Sequence, residues 1–204
     1  MNEQLSVHYL ADALDSFRAY KKLAEKAFDQ LTNDELFVTI DEESNSVAVI
    51  IKHMAGNMLS RWTDFLTTDG EKPDRNRDME FVIEPQTVKE ELLTYWQRGW
   101  DAVFTALEPL TPADFDKKIM IRGQEHTIVQ AINRQLTHYA YHIGQIVFLA
   151  KHFRSREWKS LSIPKNRSSE FNQYLAESAD RSKDQHRFDA AAKFVGQAEE
   201  KGSH

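Results

Sequence analysis

The sequence predicts an all-α protein: a four-helix bundle with a long crossover between its second and third helices, plus a C-terminal extension. Three observations point there. Four long proline-free stretches carry apolar residues at three-to-four spacing, the period of a helix with one buried face. The link between the second and third of them, residues 67–85, far exceeds the roughly two to eight residues usual between bundle helices. A connection of that length permits a crossover to the far side instead of an adjacent antiparallel return. After Phe153 the periodicity gives way to a serine-rich segment, which sets a bundle over residues 1–154 apart from an extension over 155–204.

The first helix is expected from Leu5 to about Leu31, with Leu10, Leu14, Phe17, Leu23 and Phe28 facing inward. Thr32 and Glu35 then form a capping box that opens a short turn. The second helix is expected from about Asn45 to Leu66, burying Val47, Ile51, Met54, Met58, Trp62 and Phe65. Gly70, Pro73 and Pro85 punctuate the long link, and Thr87 with Glu90 reads as the cap of a third helix ending near Leu107. Its inward set is Val88, Leu92, Tyr95, Trp96, Val103 and Leu107. Thr111 and Asp114 repeat the cap pattern around Pro112, a residue suited to the first helical position. Alternation over residues 117–121, with Gly123 and the return 124–126, predicts a small hairpin.

The fourth helix, residues 127–153, opens on Thr127 and Gln130 and buries Ile128, Ile132, Leu136, Tyr139, Ile143, Ile146 and Ala150. Beyond it, Phe171, Leu175, Phe188, Ala192 and Val195 give a weaker helical pattern.

Composition excludes several classes of function. The formal net charge of −6 provides no basic footprint for nucleic acid. The absence of cysteine rules out disulfides, thiolate metal sites and a cysteine nucleophile. No apolar run is long enough to span a bilayer, and the N-terminal residues lack the basic and apolar regions of a signal peptide. A cytoplasmic protein without membrane partners is the expectation. Phosphate-loop, GxSxG and HExxH motifs are absent.

Chemistry concentrates on three histidines. His138 and His142 are four apart, so they stack one turn above the other at the edge of the apolar face of the fourth helix. Such a pair serves either as packed core imidazoles or as metal ligands. His53, at the margin of the second helix, can supply a third imidazole, since packed helices lie about 8–10 Å apart. Three neutral imidazoles suit zinc, nickel, iron(II) or copper with positions left open. Asn57, Gln135 and Gln145, each about one turn from a histidine, are the candidate partners for the remaining ring nitrogens. His8, His126, His152, His186 and His204 fall off these faces and read as solvated.

The stretches HMAGNM around His53 and LTHYAYHIGQIVFL around His138 and His142 resemble those of the DinB-like (YfiT-like) four-helix-bundle superfamily. The resemblance covers roughly residues 5–154, and the extension resembles a functionally uncharacterised branch. It implies a metal triad of His53, His138 and His142, a divalent ion (zinc or nickel) and homodimers. It also implies transfer of a low-molecular-weight thiol such as bacillithiol or mycothiol to an electrophilic small molecule. A metal at an open site would lower the pKa of a thiol or a water brought to it. A metal-dependent hydrolase and a non-catalytic dimeric binding or stress protein are the alternatives.

Overall fold

The computed structural model describes residues 2–177, 190, 191 and 193–196. Its helices are α1 (Glu3–Phe28), α2 (Asn33–Phe37), α3 (Val47–Trp62), α4 (Lys89–Leu107), α5 (Ile128–Arg154) and α6 (Ser168–Glu177). One hairpin, β1 (Lys118–Ile121) and β2 (Gln124–Thr127), precedes α5. The chain divides into two compact units, Met1–Phe153 and Arg154–His204. In the second, Phe171 and Tyr174 of α6 pack against Phe194; Phe188 and Ala192 lie outside the described residues. No helix among the described residues is long and apolar enough to cross a membrane.

The first unit is the all-α bundle of α1, α3, α4 and α5. Local signals set most of its boundaries. The Ser46 hydroxyl accepts from Val49 N–H to start α3, and Thr32 and Glu35 cap α2 reciprocally. Thr127 and Gln130 do the same for α5. The expected cap of α4 is absent: α4 begins at Lys89 behind Val88, which makes no side-chain cap and is exposed. Trp100, outside the inward set read from the sequence, is fully buried, because a four-residue step from Trp96 keeps it on the buried face.

Ring contacts fix the helix directions. Tyr9 reaches Asn133 while Phe17 meets Tyr139, so α1 and α5 run parallel. Phe28 meets Trp96 while Phe17 meets Trp100 and Arg18 reaches Glu108, so α1 and α4 run antiparallel. Trp62 donates to Tyr139 while His53 lies against His142, so α3 opposes α5. It follows that α3 and α4 point the same way, which requires the link between them to return along the bundle.

The crossover does return, but not to the far side. α4 lies directly beside α3, and the approach is close enough that a Cβ on Gly99 would stand 3.0 Å from the Cα of Ala55. A glycine in mid-helix forfeits roughly 1 kcal/mol of helix propensity relative to alanine, and here it lets two backbones meet. On its way back the link runs past α3 in reverse order. Gly70 binds the side chains of Ser60 and Arg61, Glu80 reaches His53, and Val82 accepts from Lys52.

The hairpin holds the other end of the link. Asp69 accepts from the N–H groups of Arg122 (2.8 Å) and Gly123 (2.7 Å), and Gly70 N–H donates to Met120 (2.8 Å). Arg122 and Gly123 both have positive φ, as a tight two-residue turn requires. For arginine this conformation is unfavourable, and the Asp69 carboxylate compensates it by binding the turn's two amides.

A candidate three-histidine metal centre

α3 brings His53 to one wall of a cavity of about 850 Å³, and α5 brings His138 and His142 to the facing wall. The Nε2 atoms of His138 and His142 are 3.1 Å apart, and those of His53 and His138 are 3.4 Å apart. One ligand nitrogen from each ring lies within 4.8 Å of the other two, so the three form a group that could hold a metal ion. Nitrogens about 2.0–2.1 Å from a single ion stand roughly 3–3.5 Å apart in tetrahedral or octahedral geometry, and the two direct contacts match that spacing. The rings brought together are those singled out by the sequence. His8 and His152 are exposed and His126 is half-buried, all three outside the group; His186 and His204 lie outside the described residues.

The outer ring nitrogens settle which tautomer faces inward. His53 Nδ1 is 2.8 Å from Glu80 Oε2, in a buried contact. Burial alone would raise the Glu80 carboxyl, but hydrogen bonds from His53 and Arg75 outweigh it and hold the group below the usual carboxylate range. An ionised carboxylate only accepts, so His53 donates from Nδ1–H and turns its Nε2 toward the other two rings. His142 Nδ1 lies 2.8 Å from Gln145 Oε1, and Gln145 Nε2 donates to the Tyr141 hydroxyl at 3.1 Å. The amide oxygen therefore accepts from His142 Nδ1–H, and this Nε2 lone pair also points inward.

Burial, then the His142 and His53 rings, with Arg61 and Arg75 behind them, hold His138 down at about 3. Burial and His53 hold His142 down at about 4, against the opposing bond from Gln145. Both rings are therefore neutral near pH 7, as metal ligands must be. His138 Nε2 stands within hydrogen-bond distance of both other Nε2 atoms, and a single N–H could satisfy only one of them, whereas a cation among the three would accept a lone pair from each ring.

Of the partners expected from the sequence, Gln145 is in place. Asn57 is not: its Oδ1 accepts from the Tyr139 hydroxyl at 3.5 Å, because from its place on α3 it meets α5 at Tyr139 rather than at a histidine. Gln135 lines the cavity without bonding a histidine, and its Oε1 is buried and unpartnered. The residue that replaces Asn57 is Glu80, on the crossover. Its carboxylate also takes two bonds from Arg75, at 2.8 and 2.9 Å. Gly56, one turn beyond His53, makes room for it: a Cβ there would stand 2.8 Å from Glu80 Cδ and nearer still to Oε1.

A family of proteins of unknown function, DUF1572, matches residues 4–167. No curated protein matches the chain in sequence. The matched span holds the bundle, the crossover and all three histidines, and the chain belongs to the DUF1572 family.

Proposed function

We propose that this chain is a divalent-metal-dependent enzyme of the DinB-like type, with His53, His138 and His142 as ligands of a zinc or nickel ion. The observation that carries the reading is the convergence of three imidazole Nε2 atoms at the wall of an open cavity. Three protein ligands leave at least one position for an exogenous group, the arrangement of a catalytic rather than a structural site. When bound, such an ion supplies Lewis acidity that lowers the pKa of a thiol or water brought to it.

The favoured reaction is transfer of a low-molecular-weight thiol to an electrophilic small molecule. The chain has no cysteine, so a sulfur nucleophile has to arrive as a cosubstrate. The thiol releases its proton to solvent water, its sulfur bonds to the electrophilic carbon, and the leaving group departs with the electron pair of the broken bond. Glu80 and Gln145 orient the His53 and His142 rings by accepting from their Nδ1–H groups. The cavity holds both reactants within reach of the three rings.

Elemental analysis of the purified chain, followed by assay of a small thiol with an alkyl or aryl halide, tests this. One ion per chain and thiol consumption that requires the ion are expected. Turnover of the halide to an alcohol without thiol would reassign the chain as a hydrolase. Failure to retain any divalent ion would leave the binding-protein alternative.

A further inference from the structure

The cavity that holds the histidines is walled by five arginines, Arg61, Arg75, Arg77, Arg122 and Arg134, and among the described residues no carboxylate side chain lines it. This concentration stands out in a chain of net charge −6. Three of the five are engaged. Glu71 accepts from Arg61 (2.8 Å), Arg75 (3.4 Å) and Arg122 (3.1 Å), and Glu80 takes the rest of Arg75. Those two carboxylates sit behind the guanidiniums, where they position the cations without neutralising all of them.

Arg77 and Arg134 have no ion-pair partner among the described residues. Arg77 lies over the Phe81 ring, 5.0 Å from its centroid, and Phe81 in turn lies against His53. Arg134 stands one turn before His138 on α5. The two free cations thus reach the same cavity from different elements, one on the crossover and one on the histidine helix. Gln135, 2% exposed, adds an unpartnered acceptor at the same wall.

From this we infer that the site takes a small-molecule anion, a carboxylate or phosphate ester, whose charged group is received by Arg77 and Arg134 while its reactive end lies at the histidines. Guanidinium forks match the two oxygens of such groups. Gln135 Oε1 suits an N–H or O–H donor on the same molecule. The assignment of substrate class rests on the reading of the triad as a metal centre only for where the reactive end lies; the anion subsite is defined by the arginines alone.

The test uses the full chain, first metal-free and then loaded with Co(II), and measures binding of inorganic phosphate and glutarate by calorimetry, with neutral glutaramide for comparison. Glutarate should bind at least about tenfold more tightly than glutaramide, and both anions should weaken as salt is raised. Arg77→Gln and Arg134→Gln should each reduce anion affinity by about tenfold or more, while Arg18→Gln, on α1 and not among the residues lining the cavity, should change nothing. Arg77 and Arg134 are both exposed, so neither substitution removes a core contact. Equal binding of glutarate and glutaramide, no anion binding at all, or affinities unmoved by both substitutions would overturn the inference. Cobalt uptake is read separately from its visible absorption. A chain that refuses cobalt yet binds anions through Arg134 keeps this inference and loses the metal reading; the opposite result reverses that outcome.

Discussion

Glu80, on the loop that returns from the end of α3, accepts a hydrogen bond from His53 on α3 itself at 2.8 Å. The bond fixes the tautomer of the one triad member that does not come from α5. Glu80→Gln keeps the shape but removes the charge, and its amide can turn a donor toward Nδ1. Metal affinity should fall by roughly 10–100-fold, the usual effect of losing such an outer partner. Competition against a chromophoric chelator measures it, and unchanged affinity would show that the carboxylate does not orient the ring.

Replacing His53, His138 or His142 with alanine should remove bound metal while leaving the helical circular dichroism intact. The apolar stripes of α1, α3, α4 and α5 do not rest on an ion. His152→Ala, at an exposed position of α5, should alter neither metal content nor stability. If the three histidines were only core residues, their loss would lower the melting temperature, by about 1–3 kcal/mol of stability, with metal content unmoved.

Gly56→Ala drives a methyl into the space of the Glu80 carboxylate. Alanine gains roughly 1 kcal/mol of helix propensity, but displacing a buried carboxylate held by Arg75 and His53 should outweigh it, for a net loss of about 1–2 kcal/mol. The variant should also show the weakened metal affinity of Glu80→Gln. A more stable protein with full affinity would mean that the carboxylate relocates freely.

Tyr139 is fully buried between α1, α3 and α4, and its hydroxyl accepts from Trp62 Nε1 at 3.0 Å. Tyr139→Phe strands that indole N–H, which should lower stability by about 1–3 kcal/mol. Its neighbours on α5 keep their positions, so metal content should not change. Denaturant unfolding beside elemental analysis separates the two effects.

Asp69 is held below the usual carboxylate range, first by backbone N–H bonds from Glu71 and Gly123 and then from Arg122, with some opposition from burial. A carboxyl depressed on folding contributes stability above its unfolded pKa and loses it as pH falls through the folded value. Wild-type protein should therefore lose the contribution of this clamp below about pH 4, whereas Asp69→Asn should lack it already at pH 7. Thermal melts of both proteins across pH 2–7 should converge at the acid end; parallel curves would show that the clamp is not titrating.

The bundle was legible because each long helix carries its own period and most carry their own caps. The triad was legible for a related reason: His138 and His142 are four apart on α5, and His53 shares the margin of another stripe. Glu80 was not legible. It lies 27 residues from His53 in a segment without periodicity, and only the path of the folded crossover brings it to the ring. The arginines escaped notice likewise, because Arg61, Arg75, Arg77, Arg122 and Arg134 are scattered over α3, the crossover, the hairpin turn and α5. Asn57 was misread because being one helical turn from His53 sets its height along α3, not the residue it meets across the interface. The side of the bundle that α4 occupies depends on the close fit at Gly99, which loop length does not encode.

The parallel arrangement of α3 and α4 also bears on when the centre can exist. His138 and His142 meet whenever α5 is helical, since four residues of one helix suffice. His53 joins them only after α3 has docked and the crossover has laid Glu80 behind it. On the metal reading, a partly folded chain would offer a cation two imidazoles, and the completed fold would offer it three. Metal would then bind the finished structure preferentially, raising the melting temperature with ion concentration. Within this chain the ion would act as a latch on the return loop.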